Sequence, residues 1–300
     1  MNRADITLTP TPPFDFEHSL NFLETFHADG VVKKIEDGVL TQALLVDAEP
    51  VLFELRSTGT VEAPKLCGTV HSKTKLNKQF MAKVRSELSF YLGLDDDLAP
   101  FYKLANKDDV FQPILERLYG FHLVKFPSVF AATCWALVTQ RTPNSFAFKT
   151  MQALADYLGE TIKADSSYTT FPTAQDFLQR GAAEQILAAT NNTRKTERLL
   201  PLARDFLKAD RAFLRTASYD DVYKWLKALP GLGDWSVQYI MLRGLGHVER
   251  TPWTDTWLLE AISRVYTGGL TISKGDAKKL AEGYGWYQGW WVHYMKTALW

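Results

Sequence analysis

Two glycines stand one residue apart in LPGLGDWSVQYIMLRG, residues 229–244, between two stretches whose apolar side chains recur at helical spacing. Pro230, Gly231 and Gly233 leave a turn without bulky side chains, which exposes backbone N–H groups at the start of the second helix. Such N–H groups and the helix dipole together bind anions. The stretch predicts either a phosphate site or an ordinary helix–helix turn.

An acidic side chain follows about one turn into the next candidate helix, in RTPWTDTWLLEAISRVY, residues 250–266. Thr254 is expected to be the N-cap of this helix. Asp255 would then lie in the first turn, where the helix dipole favours the ionised carboxylate. Taken alone, an aspartate at this position is more typical of a helix-end stabiliser than of a catalytic group.

The elements that must position these residues change along the chain. The segments ITLTP, GVVKKIED, GVLTQALLVD, PVLFELRS and APKLCGTVHS are short and broken by Gly, Asp and Pro, which predicts an antiparallel sheet in the first hundred residues. A helix is expected from Leu76 to Tyr91, ended by Gly93. Beyond it nearly everything has helical spacing, so we predict a small α+β unit followed by a helical region.

Composition restricts the class of protein. The 300 residues carry 34 Lys and Arg against 34 Asp and Glu, so the net charge is zero and binding to a polyanion by overall charge is excluded. Two cysteines, Cys67 and Cys134, are too few for a disulfide framework. We read no signal peptide and no apolar stretch of the ~20 residues that a membrane helix requires. We therefore expect a soluble intracellular protein.

The hairpin with its later aspartate, LPGLGDW…Y and PWTD, resembles the helix–hairpin–helix Gly/Pro/Asp superfamily of DNA glycosylases. The chain is more closely similar to the 3-methyladenine DNA glycosylase II branch, nearly from end to end. The pieces that carry this resemblance, in order, are PPFDFEHSLNFL, LGLDDDLAPFY, FPSVFAATCWALVTQ, ALADYLGE, FPTAQDF and GWYQGWWVHYM. The resemblance implies a TATA-binding-protein-like sheet domain followed by two all-helical subdomains, with the active-site cleft between them.

The resemblance makes Asp255 the catalytic aspartate. Cleavage of an N-glycosidic bond builds positive charge on the deoxyribose, and a fixed anion stabilises this charge or orients the attacking water. Glu260, about one turn further on, is the nearest rival, although no motif of the superfamily matches it.

The resemblance also assigns roles to the hairpin. It implies that Gly231 and Gly233 contact a DNA phosphate. The backbone carbonyls of three residues would hold a structural monovalent cation, Na⁺ or K⁺, namely those of Lys227, Leu229 and Leu232. Asp234 departs from the usual neutral or basic residue of the superfamily, and a carboxylate beside a phosphate is expected to weaken DNA binding.

Trp235 occupies the position at which bifunctional members carry a lysine that forms a Schiff base and cuts the strand. A tryptophan cannot form a Schiff base. The resemblance therefore implies a monofunctional enzyme that releases the base and leaves an abasic site.

Excision from a duplex requires that the nucleotide be flipped into a pocket. By resemblance, Phe22, Trp235 and Tyr239 line this pocket, with core packing as the alternative for each. Met295 replaces the tryptophan that the branch has at the C-terminal pocket position. An aromatic pocket without a proton donor for the leaving base favours cationic alkylpurines, such as 3-methyladenine, over neutral bases.

The resemblance assigns contacts with the DNA backbone and with the stacked bases to two further segments. By resemblance, the loop that begins with Gln140 and Arg141 would supply the wedge that fills the vacated stack. A guanidinium can stack on bases, and the alternative for Arg141 is an ordinary solvated arginine. Arg194 and Lys195 would contact phosphates. A second basic run, between Lys73 and Arg85, is expected to be only a solvated surface.

The sequence thus predicts a sheet domain over residues 1–100, a central helical subdomain over 130–245, and a second helical subdomain formed by 101–129 with 246–300. The predicted protein is a monomeric, cytoplasmic glycosylase, nucleoid-associated or nuclear according to the cell type. It binds damaged double-stranded DNA, does not bind membranes, requires no cofactor and carries no iron–sulfur cluster. The alternatives are a glycosylase for deaminated or oxidised bases, a non-catalytic damaged-DNA-binding protein and a helical protein-interaction domain.

Overall fold

A computed structural model describes residues 1–299, apart from the side chain of Thr256. Its N-terminal part is a five-stranded antiparallel sheet in the order β1-β5-β4-β3-β2. The strands are β1 (Asn2–Leu8), β2 (Lys33–Glu36), β3 (Val39–Val46), β4 (Glu49–Ser57) and β5 (Leu66–Ser72). The predicted antiparallel sheet is confirmed, and a helical region follows it as expected.

Two helices pack on one face of this sheet, α1 (Phe16–Thr25) and α2 (Lys78–Leu92). The helix α2 begins two residues later than predicted, because the side chain of Asn77 caps it by accepting a hydrogen bond from the N–H of Phe80. It ends at the expected glycine, Gly93, which has φ +68°.

The opposite face of the sheet is covered by a short hairpin that the sequence analysis did not predict, β6 (Thr161–Lys163) with β7 (Ser167–Thr169). Its Ile162 and Tyr168 are buried against Ala43 and Leu52, which lie opposite each other on β3 and β4. The segment 161–169 lies in the stretch that the sequence predicts to be helical, and its strands are too short for their alternation to be recognised.

The remaining elements are helices grouped around two further apolar cores. One core surrounds α5, whose sequence VFAATCWALV is buried on every side. The helices are α3 (Ala99–Ala105), α4 (Gln112–Arg117), α5 (Val129–Val138), α6 (Asn144–Leu158), α7 (Ala182–Thr190), α8 (Thr193–Phe206), α9 (Arg211–Thr216), α10 (Tyr219–Ala228), α11 (Asp234–Tyr239), α12 (Thr256–Thr267), α13 (Lys274–Glu282) and α14 (Gln288–Ala298).

The two helical cores differ in the parts of the chain that build them. The first combines residues from 126–245 with a few from α1 and the loop after it. The second combines residues from 98–123 with residues from 242–295. The chain therefore leaves the second core after residue 123 and returns to it after the hairpin, so a cleft forms where the two cores meet. In residues 1–299 no helix is long and apolar enough to cross a membrane.

Candidate active site

The hairpin joins α10 to α11 as the two glycines predicted. Gly231 has φ +86°, a left-handed conformation that an L residue adopts only with strain, whereas Gly233 is extended and begins the next helix. The helix α11 continues into a π-helical turn, Ile240–Gly244. Both glycines are exposed, so the N–H groups at the start of α11 are accessible to a phosphate.

Asp234, the departure from the superfamily pattern, is paired within the hairpin. Its Oδ1 lies 2.6 Å from the Lys227 ammonium and accepts a hydrogen bond of 2.9 Å from the Tyr223 hydroxyl. These two hydrogen bonds, that of Lys227 first, lower the pKa of Asp234 below its ordinary value. The neighbouring ammonium thus offsets part of the repulsion that a phosphate would meet here.

The backbone carbonyls predicted to hold a monovalent cation lie where α10 ends, and the last carbonyls of a helix lack partners within the helix. Among the described residues, the Leu229 carbonyl accepts a backbone hydrogen bond of 3.3 Å from Leu232 N–H, and no acceptor role is seen for the carbonyls of Lys227 and Leu232. Neutral carbonyl oxygens suit Na⁺ or K⁺. The residues therefore fit such an ion, and its presence stays a prediction.

Asp255 is itself the N-cap of α12, so the expectation that Thr254 caps this helix is wrong. The Asp255 Oδ1 accepts a hydrogen bond of 3.1 Å from Trp257 N–H, while the hydroxyl of Thr254 donates to Gln238. Aspartate ranks above threonine as an N-cap, and the hydroxyl of Thr254 is occupied by Gln238. The cap contact orients the carboxylate.

The second oxygen of Asp255 contacts a group that the sequence analysis did not identify. The Lys296 ammonium on α14 donates to Asp255 Oδ2 at 2.5 Å, with 15% of the aspartate side chain and 27% of the lysine side chain exposed. Little in the sequence indicated this role for Lys296, because a lysine at the end of an aromatic helix usually extends into solvent.

Both side chains line a cleft of about 1110 Å³ between the helical cores. Phe22, Trp235 and Tyr239 line the same cleft, so the structure brings these three predicted pocket residues together with Asp255. The rings of Trp235 and Tyr239 stack with centroids 5.4 Å apart. Burial raises the pKa of Tyr239 to about 12, so its hydroxyl stays protonated at neutral pH.

Met295, the fourth predicted pocket residue, is fully buried in the second helical core and does not line the cleft. The helix period explains its position, because Val292, His293 and Lys296 share the face of α14 that meets the cleft. Met295 points to the other side.

Two further groups in the cleft wall were missed from the sequence, Arg243 and His293. Arg243 is buried, with its guanidinium 4.6 Å from the Phe22 ring centroid and Nη1 at 3.4 Å from His293 Nδ1. Burial, and then the charge of Arg243, lowers the pKa of His293 well below its ordinary value, so the imidazole is neutral. One wall of the cleft therefore carries a buried positive charge next to an aromatic ring.

The predicted wedge loop is held against the hairpin by Gln140. Its Nε2 donates to the Gly231 carbonyl at 2.8 Å and to Ser236 Oγ at 3.2 Å, and its Oε1 accepts from Arg198 at 3.2 Å. Arg141 is exposed and has φ +53°, an uncommon conformation for a side-chain-bearing residue. Of the two, Arg141 is the more exposed.

The two predicted phosphate contacts on α8 differ in their surroundings. The Lys195 ammonium donates to the Val138 carbonyl and to Thr142 Oγ1, and burial lowers its pKa. It therefore ties the end of α5 to the wedge loop. Arg194, one residue earlier, is exposed and lies on the first turn of α8.

The structure contains a sheet domain, two helical cores, a glycine hairpin and an aspartate in an aromatic cleft, as the resemblance to the helix–hairpin–helix DNA glycosylases predicted. No family model matches the chain. A DNA-3-methyladenine glycosylase of Bacillus subtilis (strain 168) is 23% identical over 264 residues, which are 86% of this chain and 84% of that protein.

Solved structures have the same fold. The 3-methyladenine DNA glycosylase from Archaeoglobus fulgidus superposes with a TM-score of 0.79 at 21% identity and covers 97% of each chain. The 8-oxoguanine glycosylase/lyase of Clostridium acetobutylicum, without DNA, has a TM-score of 0.68 at 13% identity and covers 98% of this chain and 95% of its own. The resemblance of this chain to the helix–hairpin–helix glycosylases is thereby confirmed.

Proposed function

We propose that the protein is a DNA glycosylase of base excision repair, which flips a damaged nucleotide out of the duplex and hydrolyses its N-glycosidic bond. The observation that carries this proposal is the position of Asp255 in the same cleft as Phe22, Trp235 and Tyr239. A cleft with aromatic walls can hold a flipped base by stacking, and a fixed carboxylate at its edge can act on the sugar.

The aromatic residues of the cleft bind the base, and Asp255 acts on the sugar. The base enters between aromatic rings, and the C1′–N bond is stretched next to Asp255. The positive charge that develops on the sugar is stabilised by the carboxylate, whose orientation the Trp257 N–H holds. Loss of a preorganised electrostatic contact of this kind costs about 10²–10³ in rate.

The DNA duplex binds across the hairpin side of the protein. The turn at Gly231 and Gly233 offers N–H groups to one phosphate, and Arg194 binds another. Arg141 enters the stack in place of the flipped nucleotide. These contacts bind any duplex, whereas the cleft selects the damaged base.

For the substrate we propose alkylated purines that carry positive charge, such as 3-methyladenine and 7-methylguanine. A charged base leaves readily without protonation, and each contact with an aromatic wall is worth roughly 0.5–2 kcal/mol to a cation. The names of the Bacillus and Archaeoglobus proteins, both 3-methyladenine glycosylases, support this choice. Hydrolysis requires only water, so we propose that the enzyme needs no cofactor. We propose further that it acts as a monomer and that a cation at the hairpin serves the structure.

Base-release profiling tests the function. Duplexes that carry one alkylated, deaminated or oxidised base each are incubated with the protein, and the released bases are quantified. We expect 3-methyladenine and 7-methylguanine to be released fastest and 8-oxoguanine hardly at all. Asp255→Asn should bind the same duplexes but lose base release by about 100-fold or more.

The matched control for Asp255→Asn is Glu260→Gln, one turn further along α12. Glu260 is paired with Arg264 on the exposed helix face and should leave activity unchanged. Near-full activity of Asp255→Asn, or loss of activity in the control alone, would contradict the assignment. Faster release of uracil or 8-oxoguanine than of 3-methyladenine would overturn the substrate but leave the fold as it is.

A further inference from the structure

The Lys296 ammonium lines the cleft and contacts the proposed catalytic carboxylate directly. A lysine ammonium has three N–H donors. One of them binds Asp255 Oδ2, and Nζ lies 5.7 Å from the Trp257 ring centroid. Within residues 1–299 Lys296 donates no other hydrogen bond, so two donors remain for whatever occupies the cleft.

The other basic groups of the cleft wall are engaged elsewhere or covered. Arg117 donates to the Ala298 carbonyl, and His18 lies 3.8 Å from the Asp15 carboxylate. Arg243 is buried against Phe22, and a guanidinium does not release its proton in a protein. His293 is also buried, and burial lowers its pKa well below the ordinary value, so its imidazole is neutral. Lys296 is the group that combines partial exposure, direct contact with Asp255 and a transferable proton.

We propose that Lys296 is a general acid that protonates the leaving base, and that it extends the substrates of the cleft to neutral damaged bases such as hypoxanthine. This inference rests on the proposed glycosylase function. A cationic alkylpurine leaves as a neutral molecule and needs no such help, whereas a neutral base would leave as an anion. General acid catalysis typically contributes 10²–10⁴-fold.

The ion pair between Lys296 and Asp255 allows every proton in the reaction to be accounted for. When the C1′–N bond of a neutral base breaks, its electron pair leaves with the base, and an Nζ proton of Lys296 is transferred to the base. The oxygen of a water molecule bonds to C1′, and Asp255 accepts the proton of that water. The hydrogen bond from Lys296 to Asp255 then returns this proton from the carboxyl to the amine. One water is consumed, and both side chains end as they began.

The test compares two substrates in the same duplex sequence, one with hypoxanthine and one with 7-methylguanine, under single-turnover conditions. The loss of activity in Lys296→Met should be about 100-fold or more greater on hypoxanthine than on 7-methylguanine. Lys296→Arg keeps the positive charge beside Asp255 but not the transferable proton, so it should stay slow on hypoxanthine. Lys279→Met, an exposed lysine paired with Asp276 on α13, is the matched control and should behave as wild type.

Each other outcome overturns the proposal in a recognisable way. Equal losses on both substrates in Lys296→Met, or full recovery of hypoxanthine release in Lys296→Arg, would show a positioning role. A wild-type protein that releases 7-methylguanine but not hypoxanthine would refute the general acid while leaving the proposed function in place. Release of neither base would refute the proposed function as well.

Discussion

The orientation and net effect of a charged side chain in this protein depend on the groups that it contacts. Asp255 is held by a backbone N–H on one oxygen and by the Lys296 ammonium on the other, so its charge is both oriented and partly compensated. The negative charge of Asp234, which is expected to weaken DNA binding, is compensated by the Lys227 ammonium. In both pairs the cation comes from a different helix than the aspartate.

At the residue scale, the tryptophan at position 235 predicts the fate of the product strand. Because Trp235 offers no amine, the strand should stay intact until it is heated with alkali, and borohydride should trap no covalent protein–DNA adduct. Gel analysis of the labelled strand, with and without borohydride, measures both results.

The trapping experiment needs Lys296→Met as its control, since Lys296 is an amine in the cleft. A trapped adduct in the wild type would contradict the monofunctional proposal. Its disappearance in Lys296→Met would then identify the amine responsible.

Among the elements, the hairpin between α10 and α11 carries the widest consequences, because it presents N–H groups to DNA and anchors the wedge loop through Gln140. Its two glycines meet different requirements. A side chain at Gly231 would force an L residue into a left-handed backbone conformation, and its Cβ would lie 3.4 Å from Arg198 Cδ. A Cβ at Gly233 would have no neighbour within 4 Å.

We therefore expect Gly231→Ala and Gly233→Ala to separate stability from DNA binding. The left-handed conformation costs an L residue about 1–2 kcal/mol, so Gly231→Ala should lower the Tm by a few degrees and weaken duplex binding. Gly233→Ala should keep the Tm and weaken binding alone, because its Cβ occupies the space in front of the helix N-terminus. Thermal unfolding and binding to damaged and undamaged duplexes measure these effects.

The hairpin variants should lose affinity equally for both duplexes, since phosphate contacts carry no sequence or damage information. A loss confined to the damaged duplex, or unchanged binding in Gly233→Ala, would show that the phosphate binds elsewhere.

On the scale of the whole molecule, zero net charge is compatible with DNA binding because a phosphate contact depends on the local charges of the face that meets the DNA. Asp47 is paired with Lys83 on the sheet domain, and Asp234 is paired with Lys227 beside the hairpin. Arg194 makes no ion pair within the described part of the chain, and it stands on the helical region that also carries the hairpin.

Binding to any duplex should therefore weaken as salt rises, and Arg194→Ala should reduce the slope of log K against log salt by about one. Lys83→Ala, on the sheet domain, is the matched control and should leave the slope unchanged. Titrations of undamaged duplex at several salt concentrations measure the slope. An equal change in both variants would place the DNA on a different face.

Local signals in the sequence were sufficient for the broad outline of this protein. The catalytic role of Asp255 was implied by the resemblance to a family, and other features followed from the sequence itself. Short segments broken by Gly, Asp and Pro predicted the sheet, Gly93 predicted the end of α2, and the Gly-Leu-Gly turn predicted the hairpin. Each of these features depends on residues close together in the chain, where backbone preference and side-chain period act directly.

Only the tertiary structure decided which side chains share the cleft. It brought Lys296 from α14 to Asp255 on α12, directed Met295 into the core, and covered the sheet with β6 and β7. A one-residue rotation along a helix exchanges a cleft residue for a core residue, and the helix period alone does not set the rotation. Contacts between segments tens of residues apart arise from packing, and packing decided the chemistry of this cleft.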